Sequence, residues 1–244
     1  MMAEIPIISA KCFRRFPSIQ FGMSTGVGGV PPFGMNLSFS VGDREENVRK
    51  NRERFFGSLQ IQLAELAIPR QVHSTVAKIA HGPGSYPDCD ALVTASRRVF
   101  LCVSVADCVP VFVYDPKNHA VAAIHAGWRG TAGSLVSQTL DLMQRECGTR
   151  PSDCTAFVGP GASVCCYCVG EEVASQFDNE FVLRQNGTTF VDLKSANARQ
   201  LERSGVPYSA IEVSPLCTIS EPSLHSYRRD KEKSGRMMGT IGIL

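Results

Sequence analysis

The sequence has little of what marks several large classes of protein. Its 244 residues include one tryptophan and five histidines, and no apolar run approaches the length that crosses a membrane. Lysine and arginine exceed aspartate and glutamate by only 25 − 23 = 2, and neither sign of charge forms a long run. These absences argue against a membrane protein and against a polyanion-binding surface. We therefore expect neither a membrane nor a nucleic acid as a partner.

A secretory signal and a cysteine-dense scaffold are also missing. Ten cysteines in a chain of this length fall below the density of a disulfide-stapled secreted domain. We expect mostly buried, reduced thiols in a soluble cytoplasmic protein. A hydrophobic content of 43%, with no repeat and no linker, indicates one domain over residues 1–244.

Helical and strand patterns are mixed along the chain and predict an α/β fold of α+β character. Short β-branched segments predict three successive strands between residues 97 and 126, which we expect to make a sheet core. Helical spacing from Thr131 to Cys147, ended by Gly148, predicts an amphipathic helix packed on that sheet. Further strands are predicted in "CTAFVGP" and "TTFVDL", and further helices near residues 45–56, 170–177 and 194–205.

The glycine-rich loop from Ser24 to Asn36, "STGVGGVPPFGMN", is long enough to suggest a function. It lacks the lysine of a phosphate-binding P-loop and the glycine spacing of a dinucleotide-binding loop. The sequence therefore implies neither ATP nor NAD as a cofactor.

Three residues with metal-binding or nucleophilic side chains lie at the ends of apolar segments. They are His73 in "QVHS", Cys108 in "ADCVPV" and His125 in "HAGWRG". Gaps of 34 and 16 residues separate them, unlike the close pairs of a zinc finger or a zincin. The residues alone leave three interpretations open: core packing, a cysteine nucleophile with its base, or a metal site.

Motifs along nearly the whole chain resemble one family. In order they are "GGV", "NLSFSVGD", "QVHS", "DCDALVT", "ADCVPV", "HAGWRGT", "VGPGASVCCYCVGEEV" and "SYRRDKEKSGRM". Together they are similar to the laccase-domain family, also called multicopper polyphenol oxidase-like and now viewed as purine nucleoside phosphorylases. The resemblance implies a layered sandwich of mixed β-sheets with helices outside, similar to the catalytic fold of cytotoxic necrotizing factor.

The resemblance also implies a site and an activity. It assigns His73, Cys108 and His125 to a single zinc ion, and three protein ligands leave a fourth tetrahedral position open, as in catalytic zinc sites. The implied reactions are phosphorolysis of adenosine, inosine, guanosine and methylthioadenosine to a base and a pentose 1-phosphate, and deamination of adenosine. The implied partners are purine nucleosides and inorganic phosphate, bound by a monomer or a homodimer.

Other polar residues are candidates for supporting roles. Asp107 and Asp90 could act as acid or base, or orient a metal imidazole. A phosphate dianion needs cations, and the candidate cations are Arg44, Arg129, Arg228 and Arg229.

Three alternatives remain at this stage. A His2Cys set also suits copper, but five histidines are too few for the trinuclear cluster of a multicopper oxidase. A cysteine hydrolase would use Cys108 as nucleophile and His125 as base. A binding module with structural zinc would need a fourth protein ligand, for which His81 and His119 are the nearest spare imidazoles.

The sequence departs from the family pattern at two positions. Gly26 stands where many relatives have arginine, and Cys168 where many have glutamate, and both changes could touch the substrate pocket. Cys168 also adds to a cluster with Cys165 and Cys166. Because adjacent residues of a strand face opposite sides, we expect core or loop thiols there rather than a second metal site.

Overall fold

The computed structural model describes residues 5–244, in which two six-stranded mixed sheets lie against each other. The strands are, in chain order, β1 (Ile7–Ile8), β2 (Ile19–Ser24), β3 (Leu66–Pro69), β4 (Ala77–Ile79), β5 (Gly84–Tyr86), β6 (Ala91–Thr94), β7 (Phe100–Val105), β8 (Val109–Asp115), β9 (Ala120–Ala126), β10 (Thr155–Val158), β11 (Cys168–Val169), β12 (Val182–Gln185), β13 (Thr188–Val191), β14 (Ile211–Val213) and β15 (Met237–Ile243). The helices are α1 (Glu45–Ser58), α2 (Trp128–Ala132), α3 (Leu135–Cys147), α4 (Glu171–Ala174), α5 (Leu193–Arg203) and α6 (Tyr227–Asp230).

The first large sheet has the order β1-β2-β15-β7-β3-β5, and the second has the order β14-β10-β8-β9-β6-β4. A small third sheet has the order β11-β13-β12. Both large sheets mix directions: β8 is antiparallel to β9, for example, whereas β4 is parallel to β6. The predicted layered α/β sandwich of mixed sheets is confirmed.

The layers follow from the alternation of side chains along the strands. On β8 and β9, Phe112 and Val121 pack between the sheets against Leu101 of β7. Their neighbours Val111 and Ala122 face the other way, against α3. Helix α1 covers the outer face of the first sheet through its own apolar side chains. The order of layers is therefore helix, sheet, sheet, helix.

Two expectations about the central elements need correction. Strands β7, β8 and β9 do not share one sheet, because the chain crosses from the first sheet to the second between β7 and β8. Asp107, with φ of +90°, lies in this crossing. The helix predicted from Thr131 to Cys147 is two helices, α2 and α3, because Ser134 between them adopts a left-handed conformation with φ of +59°.

The helix predicted over residues 170–177 is also shorter, since only Glu171–Ala174 is α-helical. The predictions for α1, α5, β10 and β13 are confirmed within a few residues. No helix of residues 5–244 combines the length and the apolar character needed to cross a bilayer.

Candidate metal centre

Pairing between β8 and β9 brings Cys108 and His125 together. His125 pairs with Pro110, so Cys108, just before β8, lies across from Gly127, just after β9. A Cβ atom on Gly127 would lie 3.0 Å from the Cys108 Sγ and 3.3 Å from the His73 Cδ2. Glycine at position 127 therefore leaves the space in which the thiol and the two imidazoles meet.

Asp90 is fully buried beneath the candidate ligands and contacts two of them. Its Oδ1 accepts hydrogen bonds from the main-chain N–H of His73 at 3.0 Å and from the His125 Nδ1 at 2.8 Å. Its Oδ2 accepts from the N–H and the hydroxyl of Ser74, and from the Val72 N–H. With Nδ1 of His125 bonded to the carboxylate, Nε2 is the nitrogen left for a metal. Asp90 thus fixes the loop of His73 and the ring of His125 at once.

The chemistry and the separation of these three side chains fit a set of metal ligands. The ligand atoms of His73, Cys108 and His125 all lie within 4.8 Å of one another. The two imidazole rings meet edge to face, with centroids 5.0 Å apart and planes at 77°. His125 is buried, Cys108 is half-buried and His73 is exposed, so the group opens on one side. Two imidazoles and a thiolate, with an open side, fit zinc or another borderline metal.

The charges of this group are coupled. Burial opposes ionisation of Cys108, but the neighbouring imidazoles of His125 and His73 outweigh it and lower the pKa of the thiol to about 6. Burial likewise disfavours a charged His125, yet Cys108 and Asp90 raise its pKa to about 9. Hydrogen bonds from His125 and Ser74 lower the pKa of Asp90 despite its burial. The surroundings therefore favour a thiolate and a positive charge next to it.

A cavity of about 970 Å³ opens from this group. Its wall includes all three ligand residues, several aromatic side chains and several arginines. The aromatic residues of the wall are Phe39, Tyr167 and Tyr227, and its charged residues include Arg52, Asp107, Arg228 and Arg236. A cavity of this size and composition is typical of a small-molecule site.

Of the four arginines expected to bind phosphate, Arg228 lines the cavity and the other three do not. Arg44 is exposed at the start of α1, and Arg129 stacks on Trp128 with its guanidinium 4.3 Å from the ring centroid. The guanidinium of Arg229 donates to four main-chain carbonyls and to Asp230. It therefore ties down the loop that precedes it.

Arg52 and Arg236 line the cavity and were not singled out from the sequence. Arg52 stacks on Phe39 at 4.5 Å, and its Nε donates to a main-chain carbonyl. Arg236 stacks on Tyr227 at 5.3 Å. Arg236 lies in the motif "SYRRDKEKSGRM", which was a usable signal. Nothing in the helical pattern of α1 distinguishes Arg52 from its other charged residues.

Asp107 faces the cavity with both carboxylate oxygens engaged. The Thr218 hydroxyl donates to its Oδ1 at 2.7 Å, and the Arg228 N–H donates to its Oδ2 at 2.6 Å. Arg228 also donates from its Nη1 to the Cys168 carbonyl and lies 5.2 Å from the centroid of the Tyr167 ring. Asp107 and Arg228 therefore form one connected part of the wall.

Neither family departure belongs to the lining of this cavity. A Cβ atom on Gly26 would lie 3.2 Å from both the His225 nitrogen and the Ser223 oxygen of the main chain, so a larger side chain there is crowded. Cys168 is exposed at the start of β11 and reaches the site only through its carbonyl, which accepts from Arg228.

Comparison with known proteins places this chain in a family. A family model described as multi-copper polyphenol oxidoreductase laccase matches residues 20–244. A purine nucleoside phosphorylase of Deinococcus radiodurans is 38% identical over 93% of this chain and 90% of its own. Purine nucleoside phosphorylase YlmD of Bacillus subtilis is 35% identical over 91% of this chain and 87% of its own.

A solved structure of similar sequence has the same fold as this chain. The crystal structure of the hypothetical protein YfiH of Bacillus licheniformis superposes with a TM-score of 0.92 at 31% identity, over 100% of this chain and 98% of that one. The chain therefore belongs to the family described as multi-copper polyphenol oxidoreductase laccase.

Proposed function

We propose that the protein is a zinc-dependent purine nucleoside phosphorylase that also deaminates adenosine. Relatives named purine nucleoside phosphorylase support the first activity. The observation that carries the proposal is an open three-ligand group on the wall of a cavity rich in arginine and aromatic side chains. Adenosine, inosine, guanosine and methylthioadenosine are the substrates we assign. Because a thiolate ligand must stay reduced, we also assign the protein to the cytoplasm.

His73, Cys108 and His125 would hold the zinc ion, and Asp90 would keep the imidazole of His125 and the main chain of His73 in place. Zinc supplies a Lewis acid that polarises a substrate nitrogen or oxygen. Since these three residues are the whole ligand group within residues 5–244, a coordination position stays available for substrate.

Inorganic phosphate, the nucleophile, needs cations beside the ribose. Arg228, Arg236 and Arg52 reach the cavity, and we assign phosphate binding to this trio. Each guanidinium stacks on an aromatic ring that also lines the cavity, which orders its planar fork for bidentate hydrogen bonds. We prefer this trio to Arg44, Arg129 and Arg229, which do not line the cavity.

The purine needs an apolar, planar environment. Tyr167 and Tyr227 lie on the cavity wall with Phe39. Aromatic rings stack readily on a heterocyclic base. In the phosphorolytic step an oxygen of phosphate bonds to the ribose C1′ while the bond from C1′ to the purine nitrogen breaks, and the base leaves with the electron pair and takes up a proton. Asp107, held by two donors, fixes the position of Arg228 for this step.

The histidines of the described residues are too few and too dispersed to form the trinuclear copper cluster of a multicopper oxidase. All five histidines lie within residues 5–244, and only His73 and His125 belong to a group of potential metal ligands. The remaining three, His81, His119 and His225, join neither such group. The described residues therefore offer one imidazole pair, whereas a trinuclear cluster requires many more.

A cysteine hydrolase is the second candidate, favoured by one specific observation. Cys108, His125 and Asp90 stand in the order of nucleophile, base and orienting carboxylate, and the Cys108 thiol has a lowered pKa. The third member of the group, His73, has no role in such a triad. Its imidazole converges on the same sulfur, which is the arrangement that metal binding requires.

The test is a product analysis. Purified zinc-loaded protein is incubated with adenosine, with and without phosphate, and adenine, inosine and hypoxanthine are resolved by chromatography. Phosphate-dependent adenine is the expected product of phosphorolysis, and phosphate-independent inosine that of deamination. If no purine nucleoside is converted, the proposed function is wrong. Activity that survives chelation but not thiol alkylation would instead establish the hydrolase.

A further inference from the structure

A second cluster of thiols lies apart from the candidate metal centre. Cys165 and Cys166 lie in a turn, and Cys217 comes from the segment after β14. The sulfurs of Cys165 and Cys166 are 3.1 Å apart, and all three sulfurs lie within 4.8 Å of one another. We call these three residues the trithiol cluster. Sequence reasoning could not predict that Cys217 joins the other two cysteines, because 50 residues lie between Cys166 and Cys217.

The turn explains how neighbouring cysteines can point the same way. The N–H groups of Cys166 and Tyr167 both donate to the Ser163 carbonyl, at 3.0 and 2.9 Å. The chain is therefore curled rather than extended at Cys165 and Cys166, and the alternation of a strand does not apply. Cys165 and Cys166 are therefore loop thiols, as expected, but strand alternation does not prevent them from acting as co-ligands.

Cys217 sits at the buried end of the cluster among hydrogen-bond donors. Its Sγ accepts from the Ser163 N–H at 3.4 Å. Burial raises the pKa of this thiol, but donors from Ser163, Ser220 and Ile219 outweigh burial and lower it to about 6. The hydrogen bond with Cys166, together with burial, instead raises the pKa of the Cys165 thiol to about 12. The free cluster therefore favours a thiolate at Cys217 beside a neutral Cys165.

A buried cation accompanies the cluster. Lys194 is 7% exposed, and its ammonium donates to the main-chain carbonyls of Ser214 and Leu216, the latter adjacent to Cys217. Burial lowers the pKa of Lys194, and attraction from Asp192 and Cys217 opposes that shift. A set of three thiolates around a monovalent cation carries net negative charge, and Lys194 offsets part of it.

We propose that the trithiol cluster is a second metal site, and that it takes a soft monovalent cation of the Cu(I) class. Soft thiolate ligands select such ions. With metal–sulfur bonds of about 2.3 Å, three sulfurs in a plane around the ion lie about 4.0 Å apart, within reach of the present spacing. The donor set is all sulfur, in contrast to the two imidazoles and one thiolate of the other group, and no fourth His, Cys or carboxylate joins it within residues 5–244. An all-thiolate set of three suits three-coordinate Cu(I). Each thiol that binds releases its proton to solvent.

The cluster is joined to the cavity through its sequence neighbours. Tyr167 follows Cys166 and lines the cavity, and Thr218 follows Cys217 and donates to Asp107. An ion bound by the cluster would clamp together the two segments that position Tyr167 and Asp107. Occupancy of the cluster therefore has a route to substrate binding that does not pass through the zinc ligands.

The experiment is an anaerobic titration of the reduced, zinc-loaded, full-length protein with Cu(I) buffered by the chromogenic chelator bicinchoninate. We expect one equivalent of Cu(I) to be withdrawn from the chelator, with retention of zinc and a new thiolate-to-copper absorption in the ultraviolet. Cys217→Ser and Cys166→Ser should each lose this equivalent. Cys168→Ser, a matched neighbour outside the cluster, should keep it.

Three results would overturn the proposal: no uptake of Cu(I) by the wild type, equal loss in Cys168→Ser, or displacement of zinc in step with copper uptake. The last result would mean that copper enters the group of Cys108. Because Cys166 is only half-buried, its variant remains a test even if Cys217→Ser fails to fold. The readout is metal uptake, so it is independent of whether nucleosides are the substrates.

Discussion

Replacing Asp90 by asparagine tests whether this buried carboxylate organises the metal centre. Five donors converge on its two oxygens, two on Oδ1 and three on Oδ2. An asparagine keeps one acceptor oxygen and turns an NH2 group toward the other set of donors. In either orientation at least two donors lose their acceptor.

The size of the effect follows from that count. A buried donor without its partner costs about 1–3 kcal/mol, so Asp90→Asn should lower the free energy of unfolding by roughly 2–6 kcal/mol. Domains of this kind are stable by about 5–15 kcal/mol, so a folded population should remain for measurement. Losing the carboxylate that orients a metal-binding imidazole should also weaken zinc binding by about 10–100-fold.

The assay compares urea unfolding with zinc competition against a chromogenic chelator. Asp115→Asn is the matched control, because Asp115 is also fully buried but accepts from the turn formed by Lys117 and Asn118 and from none of the candidate metal ligands. Both variants should lose stability, and only Asp90→Asn should lose zinc affinity. Equal zinc affinity in the two variants would refute the role assigned to Asp90.

Three further predictions concern other parts of the chain. Gly127→Ala should weaken zinc binding, measured by the same competition, because its Cβ would press on the Cys108 sulfur at 3.0 Å; unchanged affinity would show that the centre has room to spare. Arg228→Ala should raise the phosphate concentration for half-maximal phosphorolysis about tenfold or more, from the loss of about 1.5–3 kcal/mol, while Arg44→Ala should not; equal effects would remove Arg228 from the phosphate site. Burial lowers the pKa of His225 from 6.5 to about 4, so the unfolded chain takes up this proton first, and unfolding free energy should fall by about 3 kcal/mol as pH drops from about 6.5 to 4. His225→Gln should flatten that slope in urea unfolding across this range, and an unchanged slope would assign it to other groups.

Sequence reasoning predicted the layered sandwich, which the structure confirms, and it named His73, Cys108 and His125, whose side chains the structure brings together. That these three residues bind a metal stays a prediction. Buried strands such as β8 and β9 can be predicted because they are continuous apolar runs. His73, Cys108 and His125 can be picked out because each lies in a short motif that is visible in the sequence. Which sheet a strand joins depends on distant parts of the chain. The crossing at Asp107, which places β8 in the second sheet, therefore could not be predicted from the local pattern of residues.

Long-range contacts account for what was missed at the site. Arg52 reaches the cavity because α1 packs on the first sheet. Cys217 lies near Cys165 because its segment pairs with the segment of Gly161. Asp90 was a candidate for orienting an imidazole, but its grip on the loop of His73 depends on three-dimensional placement alone. Periodicity and motif spacing carry no information about contacts between residues that are far apart in the sequence.

The most direct test of the metal centre is a joint measurement of zinc content and nucleoside phosphorolysis in Cys108→Ala. Cys102→Ala is the control, since Cys102 is fully buried in β7 of the other sheet and its thiol faces Thr240. We predict that Cys108→Ala loses most of its zinc and its phosphorolysis together, because only two imidazoles remain, and that Cys102→Ala keeps both. A Cys108→Ala protein with full zinc content and full turnover would contradict the site proposed for this enzyme.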